Sequence, residues 1–173
     1  MRLVFIDEAG STIAMTRSHA RAPRGERTRD SVPRNRGTVT TMLGALTVDG
    51  LVAMMTVEGG TDGDVYAAFL EEVLAPELLP GALVVMDNAG AHKDPRVAEI
   101  LARRGAQAIY LPPYSPDLNP IELAWSKLKS LLRTAKARTV EALTSAIAVA
   151  MRKVTSEDAI GRMQHCGYSA QLS

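Results

Sequence analysis

Three acidic residues stand where the chain could bring carboxylates together. Asp7 follows the apolar run LVFI, Asp87 follows the apolar run LVVM, and Glu122 opens a helical pattern after Asn119-Pro120. Mg²⁺ prefers hard oxygen ligands and keeps several waters, so three carboxylates are enough to hold two ions roughly 4 Å apart. Such a pair of ions supports in-line displacement at a phosphodiester without a covalent nucleophile. The residue types therefore favour metal-dependent phosphate chemistry.

Two of these acids have a specific structural explanation, and Asp7, which also ends an apolar run, shares the ambiguity of Asp87. Asp87 begins an Asp-Asn pair, which is a common turn at the end of a strand. Glu122 is the third residue after a candidate N-cap, Asn119, so it could complete a capping box and suit the helix dipole. Both explanations remain open at the level of sequence.

The acid next to Asp7 competes with it for the same role. Side chains alternate across a strand, so only one of Asp7 and Glu8 can point to a given face. We choose Asp7 because it directly continues the buried run. His92, five residues after Asp87, could touch a phosphate or an attacking water, or it could be a helix-cap or packing histidine.

The elements that must position these acids can be read from periodicity and turn signals. An Asp49-Gly50 pair between two β-rich runs predicts a hairpin, and a strand–helix–strand pattern over 82–111 predicts parallel strands with a right-handed crossover. Strands are predicted at 3–6, 38–48, 51–57, 82–86 and 108–111, and helices at 62–74, 95–104, 119–132 and 139–154. This order predicts an α/β fold with a mixed five-stranded sheet flanked by helices. If the first and fourth strands are neighbours, Asp7 and Asp87 converge at their carboxyl ends.

Composition indicates an ordinary globular domain with an uneven charge distribution. The 173 residues suit one domain, 1–173, with a helical C-terminal part from 135 to 173. No run of 18 apolar residues predicts a membrane span, and neither a signal-peptide pattern nor a second cysteine is present, which favours a reducing cytoplasm. The sequence also offers no convincing Ser/His/Asp set, no GxxxxGK[ST] loop and no zinc pattern.

Two basic stretches flank the candidate acidic site. Seven arginines lie between residues 14 and 38 against two acids, and a second cluster without acids spans 127–138. Such blocks are commonly solvated surfaces, but beside an acidic site they favour contact with a phosphate backbone. The candidate DNA-binding residues are Arg21, Arg24, Arg27, Arg34, Arg36, His92, Lys127 and Lys129.

Several motifs together resemble the catalytic domain of DDE transposases, in the mariner-like superfamily and its bacterial insertion-sequence relatives. They are FIDE, MDNAGAHK and LPPYSPDLNPIELAWSKLK, with APRGER and HCGY as weaker additions. Asp87 and Glu122 are separated by 34 residues, the spacing that this group shows when its third acid is Glu. The segment from Tyr110 to Trp125 is the most specific part of the resemblance.

The resemblance implies an RNase H-like fold in which the first and fourth strands lie side by side. It implies that Asp7, Asp87 and Glu122 bind metal, two ions of Mg²⁺ or Mn²⁺, and catalyse DNA cleavage and strand transfer. Water, and then a freed 3′-hydroxyl, would attack the phosphodiester. The implied partners are DNA at element ends and at the target, further copies of this chain on DNA, and no membrane. The expected location is the bacterial cytoplasm with the nucleoid.

One departure from the family pattern bears on activity. The chain begins just before the first catalytic strand, so the family's N-terminal helix-turn-helix recognition region is expected to be absent and a separately encoded recognition partner is possible. The alternatives are an RNase H-like nuclease without strand transfer, a non-catalytic DNA-binding or regulatory fragment, and an inert remnant.

Overall fold

Five strands form one mixed sheet in the computed structural model, which describes residues 2–17 and 19–169. The strands are β1 (Leu3–Ser11), β2 (Thr40–Thr47), β3 (Gly50–Glu58), β4 (Leu83–Met86) and β5 (Gln107–Tyr110). Their order across the sheet is β3-β2-β1-β4-β5. β2 runs antiparallel to both β1 and β3, whereas β4 runs parallel to both β1 and β5. The predicted mixed sheet, with its first and fourth strands adjacent, is confirmed.

The helices follow the predicted pattern with one change of type. They are α1 (Gly63–Ala68), α2 (Pro95–Arg103), α3 (Pro120–Ala135), α4 (Val140–Met151) and α5 (Ser156–His165). The helix predicted over 62–74 is α-helical only as far as Ala68 and continues as a π-helix, Phe69–Leu74. The side chain of Asp62 caps its start by accepting a hydrogen bond from the Val65 N–H. Within 2–17 and 19–169, no helix combines the length and apolar character that crossing a bilayer requires.

The sheet is buried on both faces. Side chains alternate along β1, so Ile6 packs into the core under α1 and α2, whereas Phe5 packs into the core under α3, α4 and α5. This two-sided burial explains why β1 and β4 read as continuous apolar runs rather than alternating ones. On α3, Ala124, Trp125 and Leu128 form part of the buried face.

β1 is longer than its apolar run predicts. The strand was expected to end at Asp7-Glu8, but it continues to Ser11, which pairs with Thr40 of β2. The physical reason is that the long antiparallel partner β2 supports β1 well beyond the last residue that pairs with β4, Phe5. Asp7 and Glu8 therefore lie within a strand, on opposite faces of the sheet.

Candidate metal centre

The register of β1 and β4 brings two of the acids to the same level. Phe5 pairs with Val85, and Asp7 and Asp87 each follow two residues later on adjacent parallel strands. The start of α3 adds Glu122. All three acids line one cleft of about 480 Å³, which Lys93 also lines. The strands that carry Asp7 and Asp87 are adjacent, as expected, and the three acids line the same cleft.

Asp7 is the buried member of the three. It is 9% exposed, and its Oδ2 accepts a hydrogen bond of 3.1 Å from the indole Nε1 of Trp125. Burial raises the pKa of the Asp7 carboxyl to about 7, against the lowering effect of the backbone N–H of Glu8, and the charges of Glu122 and Asp87 raise it further. A cation in the cleft would reverse this preference and favour the ionised carboxylate.

A glycine opposite Asp7 makes room for the indole that holds it. Gly44 of β2 pairs with Asp7, and a Cβ added to Gly44 would lie 2.5 Å from Cη2 of Trp125. No side chain larger than hydrogen fits there without moving the ring. The absence of a side chain at Gly44 therefore allows α3 to place its indole against a carboxylate on β1.

Asp87 and His92 form a connected pair at the edge of the cleft. Nδ1 of His92 lies 2.6 Å from Oδ1 of Asp87, and Nε2 lies 3.3 Å from Oε1 of Glu8. Burial lowers the pKa of His92, but the hydrogen bond with Glu8 and the charge of Asp87 outweigh it, so the pKa lies above its ordinary value. The ring also packs on Tyr66, with centroids 4.3 Å apart. His92 thus links the acid at the cleft to the acid on the other face of β1.

Asp87 and Glu122 differ in the local structural role that each one fills. Asp87 does form a turn, because its Oδ1 accepts a hydrogen bond of 2.9 Å from the N–H of Ala89. The capping box is not formed: Asn119 occupies the N-cap position, but its side chain makes no cap hydrogen bond. The predicted N-cap position of Asn119 is therefore confirmed, although its side chain does not cap the helix. Glu122 is an exposed residue that lines the cleft.

The donor set suits a hard divalent cation, although the side chains are not gathered around one point. Among residues 2–17 and 19–169, no three His, Cys, Asp or Glu side chains are close enough together to hold a metal ion. Asp87 is turned towards His92, and like charges keep carboxylates apart. Because Asp87 and Glu122 are both exposed, rotation of their side chains towards buried Asp7 would bring three hard oxygen donors together.

The predicted DNA-contacting residues occupy three kinds of environment. Exposed positions in an irregular segment hold five of them: Arg21, Arg24, Arg27, Arg34 and Arg36. Lys127 pairs with Asp158, while Lys129 is half-buried. His92 is 1% exposed and faces carboxylates with both ring nitrogens, so it lies behind the cleft rather than on the surface that a phosphate would touch.

The long basic segment is attached to the turn between α3 and α4. The guanidinium of Arg138 donates to the carbonyl oxygens of Ile13 and Met15 at 2.9 and 2.8 Å. Lys136, in the left-handed conformation with φ 51°, lies 2.6 Å from Asp30. Part of the predicted basic cluster therefore positions the loop that carries the exposed arginines.

Sequence reasoning missed several residues that shape the site. Gly44 and Trp125 position Asp7, and Tyr66 packs on His92. Glu8 was considered only as a competitor of Asp7, and its contact with His92 was not foreseen. Only the Trp, the one tryptophan of the chain and close after Glu122, carried a signal that could have drawn attention to it. The others are revealed by contacts between distant parts of the chain.

Comparison with known proteins agrees with this architecture. The family model of DDE superfamily endonucleases matches residues 2–144. Among solved structures, the chain is similar to the Mos1 transposase paired-end complex with the left transposon end, with TM-score 0.73, 16% identity and coverage of 96% of this chain and 51% of that chain. It is also similar to the Mos1 transposase catalytic domain with raltegravir and Mn, with TM-score 0.64, 15% identity and coverage of 95% and 77%.

A third similar structure is the mariner Mos1 paired-end complex with Mg, with TM-score 0.67, 18% identity and coverage of 96% and 53%. The chain thus spans about half the length of the Mos1 chains in the two paired-end complexes. Among curated proteins, none matches the sequence at significance. These likenesses confirm the RNase H-like fold. Because the family model matches most of the sequence, from residue 2 to residue 144, the chain belongs to the DDE superfamily of endonucleases.

Proposed function

We propose that this chain is the catalytic part of a transposase that cleaves DNA at element ends and joins the freed 3′-hydroxyl to target DNA. Asp7, Asp87 and Glu122 are the proposed metal ligands. The observation that carries the proposal is their arrangement: a buried strand, the end of its parallel neighbour and the first turn of α3 present three acids to one cleft. The match to the DDE endonuclease family supports the same assignment.

Divalent ions, two of Mg²⁺ or Mn²⁺, would supply Lewis acidity at the attacking and the leaving oxygen. Other residues of the chain hold in place the carboxylates that would bind these ions. Trp125 fixes the position of the Asp7 carboxylate, and His92 orients Asp87. Because a ligating carboxylate must be ionised, the raised pKa of Asp7 makes metal affinity depend on pH and couples binding to proton release. The similar Mos1 paired-end complexes with Mn and with Mg support a divalent ion.

The proposed substrate is DNA, held through its phosphates. The exposed arginines of the irregular segment and Lys93 at the cleft offer cations to the phosphates. Phosphate contacts of this kind contribute affinity and salt dependence but little sequence preference. A homo-oligomer on DNA and a separately encoded helix-turn-helix partner belong to the proposal, because two DNA ends must be recognised and joined. The proposed setting is the bacterial cytoplasm.

The proposal is tested by nicking of supercoiled plasmid in Mn²⁺ and by joining of a pre-cut DNA end to a second duplex. Glu122→Gln should abolish both reactions while leaving DNA retention on a gel unchanged. Asp117→Asn is the matched control, because Asp117 is an exposed acid in the loop before α3 that does not line the cleft. Its rates should equal those of the parent.

Each alternative function predicts a different result. Nicks without joined products would identify a nuclease that lacks strand transfer. DNA retention without any metal-dependent cleavage, in parent and variants alike, would identify a DNA-binding fragment. Equal cleavage by the parent and Glu122→Gln would remove Glu122 from the catalytic site.

A further inference from the structure

Tyr114 is the most exposed large apolar or aromatic residue in the described part of the chain. Its relative exposure is 103%, and its side chain makes no hydrogen bond or ring contact with any residue of 2–17 or 19–169. Aromatic side chains contribute to stability through the area that they bury, so a fully solvated ring contributes nothing to the core. The ring is therefore available to a partner outside this chain.

The backbone of Tyr114 has a conformation that most side chains avoid. Its φ is 57°, and among the described residues only Lys136 shares a positive φ without being glycine. Lys136 ends α3, where a left-handed residue is an ordinary helix terminus. Tyr114 lies in a loop and has no such explanation. Strained residues of this kind persist where the surrounding structure holds them, and they cluster at functional sites.

The loop that carries Tyr114 connects the two exposed acids of the cleft. At its start, the amide of Asn88, the residue after Asp87, donates to the carbonyl oxygen of Leu111. At its end, the loop leads into α3, whose first turn holds Glu122. Two prolines directly before Tyr114 and one shortly after it fix their own φ angles and stiffen the loop. A stiff loop thus holds the ring beside the acids, and Tyr114 lines the same cleft.

This position favours a nucleobase as the partner of the ring. A phosphodiester that reaches the acids brings the bases of its nucleotides to the walls of the cleft. Every base has a flat π face, and stacking of bases on aromatic side chains tolerates any sequence. A base inside a duplex is covered by its neighbours, so the base must leave the stack before it can meet the ring. A protein partner would instead bind a wider apolar patch, whereas Tyr114 is a single ring beside an acidic cleft.

We propose that Tyr114 stacks on a base that has left its pair beside the phosphodiester held at the acids. This inference rests on the proposed function and adds a DNA contact that is neither a phosphate contact nor a metal ligand. Stacking offsets part of the cost of unpairing the base, so it favours the distorted DNA whose backbone can enter the cleft. Tyr114 makes and breaks no covalent bond.

The test compares two DNA duplexes that differ only in the bases of an unpaired end. One duplex carries a short single-stranded 3′ extension of ordinary nucleotides, and the other carries an extension of the same length made of abasic nucleotides, which keeps the phosphates. Kd for each duplex is measured in Ca²⁺, a hard cation that carboxylates bind, and a gel checks that no cleavage occurs. The preference for bases is the ratio of the two Kd values.

Three variants accompany the parent in these titrations. Tyr114→Leu removes the ring but keeps an apolar side chain, whereas Tyr114→Phe keeps the ring. Leu79→Ala is the matched control, because Leu79 is an exposed apolar residue before β4 that does not line the cleft. The thermal unfolding midpoint and the oligomeric state of each protein are measured alongside.

The parent should bind the extension with bases about 5- to 150-fold more tightly than the abasic one. Tyr114→Leu should lose this preference, while its affinity for the abasic duplex and its unfolding midpoint equal those of the parent. Tyr114→Phe and Leu79→Ala should both keep the preference, because each retains an aromatic ring at position 114.

Other outcomes overturn the inference in distinguishable ways. If the parent has no preference, or Tyr114→Leu keeps it, the inference is wrong, and plasmid nicking by the parent in Mn²⁺ would leave the proposed function standing. If Tyr114→Leu binds both duplexes equally more weakly, or changes its oligomeric state, the ring has a structural role or meets another copy, and the inference is wrong. If the parent neither retains DNA nor nicks it, the proposed function fails and this inference fails with it.

Discussion

Replacing Asp7 with asparagine should stabilise the metal-free protein while removing its response to metal. The carboxyl has a pKa of about 7 in the fold against an ordinary value of 3.8. Keeping it ionised therefore costs roughly 4 kcal/mol at high pH, where the charge is present in both the folded and unfolded states. Active sites commonly retain such costs for function.

The sign and the pH range follow from the raised pKa. Below the pKa of Asp7 in the unfolded chain, the carboxyl is protonated in both the folded and unfolded states, so it does not lower the stability of the fold. As the pH rises towards 7, the unfolded state loses its proton first and the folded state becomes relatively less stable. Between about pH 5.5 and about pH 8.5, the parent should lose about 2 kcal/mol relative to Asp7→Asn. This corresponds to a shift of about 4–8 °C in the difference between their unfolding midpoints.

Urea unfolding of both proteins at the two pH values, with and without Mn²⁺, is the assay. Titration of His92 and other groups is shared by parent and variant, so it largely cancels in the difference. Asparagine keeps an oxygen that can accept from the Trp125 indole, which limits the structural change. Mn²⁺ should stabilise the parent more than Asp7→Asn, because binding to the native state adds to its stability. A stability difference that does not change with pH would refute the reasoning.

Three further predictions concern the residues that support the site. Gly44→Ala should lower the free energy of unfolding by about 1–3 kcal/mol, because the new Cβ would collide with the Trp125 ring. The control Gly161→Ala, on an open face of α5, should be neutral or stabilising. Equal effects of the two substitutions on urea unfolding would contradict the close contact at Gly44. Arg138→Lys should speed tryptic cleavage within residues 14–38, because one ammonium cannot reproduce the guanidinium's hydrogen bonds to the loop carbonyls. An unchanged cleavage rate would show that these hydrogen bonds are not needed to hold the loop. His92 should titrate above its ordinary pKa of 6.5 when followed by NMR of the metal-free protein, and a midpoint below that value would show that burial outweighs the adjacent carboxylates.

Local patterns of the sequence predict much of the fold. The Asp49-Gly50 pair forms the predicted hairpin, and the apolar runs before Asp7 and Asp87 form the two central parallel strands. Hydrophobic periodicity and turn residues depend on only a few neighbouring positions, so they can be recognised in a single sequence. The types of the three acids, and the places of Asp87 and Glu122 at the ends of elements, were therefore open to prediction, whereas Asp7 lies within β1.

Other features depend on which elements meet in space. The length of β1 follows from its pairing with β2, and the place of His92 follows from the acids on both sides of it. Asn119 has the sequence context of a helix cap, yet its buried side chain is left without a hydrogen-bond partner at the cleft.

The sequence by itself determined the element order, the family and the candidate acids. The tertiary structure decided the pKa of Asp7. Asp7 and Trp125 are separated by 118 positions, yet they share a hydrogen bond that Gly44 makes possible. A pKa depends on burial and on charges within a few ångströms, and neither quantity can be computed from neighbours along the chain.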